Sequence, residues 1–282
     1  MRENYCMLFG QISREPEIHF ELDTSGNKEY RAGILEVMTC RILSNKNMGE
    51  EGSAIPEDLN KSCRWDYITV FSRNSEIVFR DFTELKRGNL VRVKGSLSTR
   101  EVIRKHICPN CRYMNDYPGI ILYVDPLCVQ KVSESISEED AILILQDARE
   151  HSNIIHLAGF VTMDPRFHEC ESDSSRDVLE FSIAGNRIRK ILEDEDTRRT
   201  DYPWIKLYGE LARKSVGQFS RGSEIYIRGA LQKRTPGIIR KCLRCGEESE
   251  DKTDIMEVVP ESVYLIRDAD SSDPVDNPSY LD

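Results

Sequence analysis

Arg87-Gly88-Asn89-Leu90-Val91-Arg92-Val93-Lys94-Gly95-Ser96-Leu97-Ser98-Thr99-Arg100 returns 134 residues later as Arg221-Gly222-Ser223-Glu224-Ile225-Tyr226-Ile227-Arg228-Gly229-Ala230-Leu231-Gln232-Lys233-Arg234. Both stretches open on Arg-Gly, alternate apolar with polar residues, place a second Gly at the same distance and close on Arg. Alternation with a period of two marks a strand with one face buried. The same offset carries Cys108 to Cys242, Cys111 to Cys245 and Pro126 to Pro260. A match held constant through strand, loop and next strand marks an internal duplication, and a repeat of this length sets the whole fold.

The repeat extends backwards. Leu8-Phe9-Gly10-Gln11-Ile12 with Pro16 corresponds to Leu157-Ala158-Gly159-Phe160-Val161 with Pro165. Leu35-Glu36-Val37 corresponds to Leu179-Glu180-Phe181, and Ile68–Phe71 to Ile205–Tyr208. Between strands, Ser75–Leu85 spaces Ile77, Val78, Phe82 and Leu85 as a helix does and stops before Gly88. Each copy thus reads as three strands, a short helix and two strands, the order of a five-stranded Greek-key OB-fold barrel. The expectation is an all-β chain with short helices. It comprises a first barrel over 1–132, a linker over 133–152, a second barrel over 153–267 and a disordered acidic tail over 268–282. Ser137 and Asp140 resemble a capping box that starts a short linker helix. The tail holds five Asp, two Pro and no Lys or Arg. The insertion 44–63, rich in Asn, Gly and Glu, reads as a flexible loop.

Two domains suit 282 residues. The chain has no run of ~18 apolar residues that would cross a membrane as a helix, and its first residues lack a signal peptide's apolar core. A cytoplasmic location is the default expectation. There, nine cysteines point to metal ligands or buried thiols ahead of disulfides. The net charge of −10 argues at first against a polyanionic partner. Its distribution argues for one: residues 86–112 carry eight Lys or Arg against one Glu, and residues 213–244 carry nine against one. At physiological salt, charge beyond ~8 Å is largely screened, so local basic strips outweigh a distant acidic surface.

Candidate binding residues fall on the repeated strands. Trp65, Tyr67 and Phe71 share the face opposite Ile68 and Val70, and Tyr202, Trp204 and Tyr208 hold corresponding places in the second copy. An aromatic stripe opposite a core face stacks bases or packs against another surface, and base stacking tolerates any sequence. Arg92, Lys94 and Arg100, then Arg228, Lys233 and Arg234, lie on or beside the strand that precedes each cysteine loop; Arg104 and Lys105 flank the first loop. Cations along a groove are what phosphates require.

The cysteine loops are Cys108-Pro109-Asn110-Cys111 and Cys242-Leu243-Arg244-Cys245. Each supplies two thiolates, and a structural zinc takes four ligands. Their equivalence under the repeat favours one zinc held by Cys108, Cys111, Cys242 and Cys245 that clamps the barrels together. Two separate sites, with His106 or another subunit completing them, and no metal at all are the alternatives. Cys6, Cys40, Cys63, Cys128 and Cys170 read as small core residues. No phosphate-binding loop, dinucleotide fingerprint, nucleophile elbow or His-Glu-x-x-His occurs, so the chain reads as a non-enzyme.

Trp65-Asp66-Tyr67-Ile68-Thr69-Val70-Phe71, Lys86-Arg87-Gly88 and Gly95-Ser96-Leu97-Ser98-Thr99-Arg100 together resemble the bacterial single-stranded DNA-binding protein family. The resemblance spans about 110 residues of the first copy and, more weakly, the second. It implies sequence-tolerant binding of single-stranded DNA, with stacking at Trp65 and Phe71 and a contact from Arg100. It further implies roles in replication, repair, recombination or conjugative transfer, and an assembly of four barrels as a homodimer, with a monomeric pseudo-dimer as the alternative. The Cys-x-x-Cys loops depart from the family, and the ending Pro278-Ser279-Tyr280-Leu281-Asp282 is acidic and apolar without the family's Pro-Phe terminus. Recruitment of replication or repair proteins by the tail is the corresponding expectation. Binding of RNA, and a zinc-stabilised scaffold for protein partners, are the rival functions.

Overall fold

The computed structural model describes residues 3–42, 63–186, 200–269 and, for the backbone alone, 280–281. The insertion 44–63, apart from Cys63, and most of the tail lie outside the described residues.

The first copy comprises β1 (Asn4–Ile12), β2 (Glu17–Leu22), β3 (Lys28–Ile42), β4 (Cys63–Ser72), a short helix α1 (Ser75–Ile77, continued by a π-type turn Val78–Phe82), β5 (Asn89–Ile107) and β6 (Met114–Ser135). Five staves close a barrel in the order β1-β3-β4-β6-β5, with β4 and β6 meeting in parallel at Val70 and Val124. One strand more than expected precedes the helix. Among the described residues β2 pairs only with β3, and it lies outside the barrel. Its side chains are mostly exposed, so no buried face marked it in the sequence. The turn that creates it is built by Asp23, whose Oδ1 accepts from Ser25 N and Asn27 N at 2.8 Å.

The second copy repeats the plan with β7 (Asn153–Val161), β8 (Arg166–His168), β9 (Val178–Asn186), β10 (Thr200–Asp201), β11 (Trp204–Tyr208), α3 (Gly209–Ser215), β12 (Glu224–Arg234), β13 (Gly237–Lys241), β14 (Glu248–Lys252) and β15 (Ile255–Arg267). Its barrel closes as β7-β9-β11-β15-β12, again with one parallel contact, Ile205 to Val258. In the first copy the two long final strands pair without a break to Ile107 and Met114. In the second, the corresponding arm is a separate β13–β14 hairpin.

Gly95 and Gly229 are repeated for a packing reason. A Cβ on Gly95 would lie 2.4 Å from Asp125 O, and one on Gly229 equally 2.4 Å from Val259 O. Both stand where the strand pairing slips register, between Lys94 and Gly95 and between Arg228 and Gly229. Such a bulge bends a strand enough to close a small barrel.

The barrels join edge to edge. β1 pairs antiparallel with β7, and Cys6 faces Ile155, its own counterpart under the repeat, so a pseudo-twofold axis passes through that pair. Asn4 and Asn153 secure each side in the same way. Asn4 donates to Leu97 O at 2.9 Å and accepts from Leu97 N at 2.7 Å; Asn153 does the same with Leu231 at 2.8 and 2.9 Å. One apolar core runs through both barrels.

The linker helix α2 (Glu138–Asp147) starts at Ser137, whose Oγ accepts from Asp140 N, as the capping pattern predicts. It buries Ala141 and Leu145 against Met38, Cys40, Cys63 and Leu90. Of the five cysteines expected in the core, Cys6, Cys40 and Cys63 are buried, whereas Cys128 and Cys170 are partly exposed.

Candidate nucleic-acid interface and metal centre

The aromatic stripe forms as its alternation requires. On β4, Asp66, Ile68 and Val70 point inward, and Trp65, Tyr67, Thr69 and Phe71 point outward. These outward rings do not share one environment. Trp65 is half-buried against the cluster that α2 covers, Tyr67 is 37% exposed, and Phe71 packs edge-on to Tyr123 with centroids 5.2 Å apart. In the second barrel Tyr202 and Trp204 are exposed, and Tyr208 is half-buried. The Tyr208 hydroxyl donates to Glu257 Oε1 at 3.0 Å; burial, then the Glu257 charge, pushes its pKa up to about 12.

Two clefts lie on these faces. The one at the first barrel, about 460 Å³, opens over Thr69 and Phe71 and takes Lys233, Ile255 and Met256 from the second copy as its wall. The one at the second barrel, about 890 Å³, opens over Trp204 and Lys206 and takes Ile103, Pro118 and Ile120 from the first copy. Each cleft is therefore walled in part by the other copy, the first by the ends of β12 and β15 and the second by the β5–β6 arm, a juxtaposition that no local motif announces.

The basic residues divide between the clefts and the opposite side. Arg100 and Arg104 line the first cleft, and Arg104 lines both. Arg92 and Lys94 are exposed on the far face of β5, where Arg92 lies over the Phe9 ring at 5.9 Å. Arg228 is exposed on β12 near Glu261, and Lys105 is exposed on the first arm. Lys233 Nζ sits 3.1 Å from both Glu36 and Asp254, a bridge from barrel to barrel. Arg234 pairs with the buried Glu257 at 3.0 Å.

A buried polar set ties the barrels beneath the clefts. Asp201 Oδ1 accepts from Thr99 N at 2.6 Å, and Asp66 Oδ1 accepts from Lys233 N at 3.1 Å, so each barrel's carboxylate receives the corresponding amide of the other. Asp66 is charge-balanced by Arg41 at 2.7 Å, and Arg41 also donates to Gln232. Apart from Lys233, sequence reasoning missed these residues because each pairing spans more than 100 positions or joins strands whose register only the fold sets.

The four cysteines of the two loops come together. The Sγ atoms of Cys108, Cys111, Cys242 and Cys245 all lie within 4.8 Å of one another, with Cys108–Cys245 at 3.7 Å and Cys111–Cys242 at 3.6 Å. A tetrahedral zinc with ~2.3 Å bonds to sulfur needs sulfurs about 3.8 Å apart, so the set fits a metal ion. Both loops fold as tight turns, with Arg112 N donating to Cys108 O and Gly246 N to Cys242 O. The backbone N–H of Cys245, followed by that of Arg244, draws the Cys242 pKa down to about 6 even against its desolvation. His106 belongs to the arm packing and not to the cluster: its Nε2 lies 2.8 Å from Ser249 Oγ and its Nδ1 3.6 Å from Asp251. Tyr117 donates to Lys241 O at 2.8 Å under the Arg240 guanidinium. The two arms are thus stacked face to face and joined at their tips.

Comparison with known proteins places this architecture. The sequence model of the single-strand binding protein family matches residues 152–237. That is the second copy, where the sequence reading had placed the weaker resemblance. No curated protein matches the chain. Among solved structures, the wild-type single-stranded DNA binding protein from Thermus aquaticus is 14% identical, with a TM-score of 0.55 over 98% of each chain. A deletion mutant of the same protein is 15% identical, with a TM-score of 0.54 over 96% of this chain and 97% of that one. Residues 152–237 thus match the model of the single-strand binding protein family, and along its length the chain shares the fold of the Thermus aquaticus proteins.

Proposed function

We propose that the chain binds single-stranded DNA without regard to sequence, by stacking bases on the outward aromatics and holding phosphates with Lys and Arg. The observation that carries this reading is the pair of clefts, each with an aromatic floor and basic residues at its wall. Stacking on rings contributes ~1–3 kcal/mol per base and suits any base, and cations along the groove follow the backbone. Tyr67, Phe71, Trp204, Arg100 and Arg104 are the residues we assign first to this contact. Trp65 contributes through the edge left open by α2. The work is binding and protection, with no chemical step, in replication, repair, recombination or conjugative transfer.

We assign the four-cysteine cluster to a structural zinc that fixes the arms and, through them, the shape of both clefts. The chain divides into barrels over 1–132 and 153–267, a linker over 133–152 and a tail from 268 that recruits partner proteins in the cytoplasm. The outer face of the central sheet, with Tyr5, Met7 and Phe9 of β1 beside Ile154 and His156 of β7, supports a homodimer over a monomeric pseudo-dimer. Its twofold symmetry makes it self-complementary.

Titration with poly-dT, followed by Trp fluorescence at two salt concentrations, tests the proposal. Quenching that weakens with salt is the expected result. Tighter binding of an rU oligomer of equal length would turn the reading toward RNA. No binding at low salt would leave the scaffold reading in its place.

A further inference from the structure

We infer that the two barrels share nucleic acid unequally: the first grips the phosphate backbone, while the cations of the second are neutralised from within by Glu257. The inference rests on the reading of the chain as a binder of single strands.

Arg100 and Arg234 are counterparts under the repeat, yet their surroundings are opposite. Arg100 is exposed at the first cleft, and among the described residues no carboxylate lies within ion-pair distance of it. Arg234 is spent on Glu257, which is 1% exposed. Glu257 occupies the place that Tyr123 holds in the first barrel. It also accepts from Gln232 at 3.1 Å and from the Tyr208 hydroxyl at 3.0 Å, and it lies 3.8 Å from Lys206. Lys206 is engaged a second time by Glu180 at 3.2 Å. A carboxylate out of water remains charged only while cations face it, so Arg234 and Lys206 cannot swing to a phosphate without stranding it. In the first barrel Tyr123 carries no carboxylate charge and packs edge-on to Phe71.

The cleft walls repeat the contrast. Arg14, Arg100, Arg104 and Lys233 face two carboxylates, Glu36 and Asp254, in the first. Arg104, Lys206 and Arg240 face three, Glu101, Glu180 and Glu257, in the second. A single strand therefore meets surplus positive charge at the first barrel and a balanced surface at the second, where Trp204 still offers a ring.

The slope of log affinity against log salt counts the phosphates held, at about 0.7 per contact on a single strand. The full-length protein and its Arg100→Ala, Arg234→Ala and Glu257→Gln variants would be titrated with one dT oligomer across a salt series, with thermal melts confirming that each is folded. Arg100→Ala is expected to flatten the slope by about 0.7, and Arg234→Ala to leave it unchanged. Glu257→Gln, which frees Arg234 while Glu180 still holds Lys206, should tighten binding and steepen the slope by about 0.7. Equal flattening by Arg100→Ala and Arg234→Ala, or an unmoved slope in Glu257→Gln, overturns the inference and leaves single-strand binding standing. A wild-type protein that binds no oligomer at low salt overturns both.

Discussion

Phe71 and Tyr208 occupy corresponding positions on β4 and β11, and their partners give them different freedom. Phe71 packs edge-on to another ring with the Arg73 guanidinium 6.0 Å from its centroid, whereas Tyr208 is anchored through its hydroxyl to a buried carboxylate. Phe71→Ala should weaken binding of a dT oligomer by about 1–3 kcal/mol, read by fluorescence titration. The alternation that put Trp65, Tyr67 and Phe71 on one face was legible, because a strand's period of two is a local property. That Trp65 would lie under α2 was not, because the covering helix begins more than 70 residues later. Another single position shows the repeat at work in the cysteine loops. Arg112 adopts a left-handed backbone, φ 57°, where the second copy has Gly246 at φ 76°. A side chain there costs ~1–2 kcal/mol that glycine avoids, partly offset by glycine's greater freedom when unfolded. Arg112→Gly should raise the melting temperature by a few degrees, corresponding to up to about 1 kcal/mol; a lower melting temperature would contradict this account.

At the scale of elements, the arms are the least self-sufficient part of the molecule. β13 and β14 form a two-stranded sheet on their own, and an isolated hairpin is marginal in water. Packing against the first arm supplies part of what the hairpin lacks, and a metal held by the cysteine cluster at the shared tip would supply the rest. Metal analysis should find one zinc per chain. Chelation, or Cys111→Ser, should speed amide exchange in 237–252 while leaving β1, β5, β7 and β12 protected. Uniform loss of protection throughout would show that the cluster holds the barrels and not only the arms. The Cys-x-x-Cys spacing announced paired thiolates; that the pairs meet depended on β5 and β6 running on past the barrel to Ile107 and Met114. The linker helix offers a second check. Leu145 is fully buried among Met38, Cys40 and Leu90, so Leu145→Ala should cost about 2–5 kcal/mol, measured by denaturant unfolding.

For the molecule as a whole, the link that titrates is Lys233 with Glu36 and Asp254. Glu36 is partly desolvated, yet Lys233 and Ser13 hold its pKa below the usual 4.5. Asp254 is held below 3.8 by Thr235 and then, against some desolvation, by Lys233. A carboxylate with a depressed folded pKa stabilises the fold fully above its unfolded pKa and loses that contribution as pH falls through the folded one. Thermal stability should therefore be flat on this account above about pH 5 and decline below 4, and Lys233→Met should remove part of that decline. An identical acid limb in the variant would show that the bridge does not couple the barrels.

The strand–helix–strand plan of each copy, the duplication, the inward and outward faces of β4 and the four paired thiols were all determined by the sequence itself, whereas the extra strand β2 was not. Each depends on neighbours in the chain or on a constant repeat offset. The tertiary structure decided what the repeat alone leaves equal: which aromatics stay open, which arginines stay unpaired among the described residues, and which strands of one copy wall the cleft of the other. Those outcomes turn on single departures from the repeat, above all Glu257 in place of Tyr123. A buried carboxylate recruits whatever cations the fold brings within reach, and only the joined barrels determine which those are.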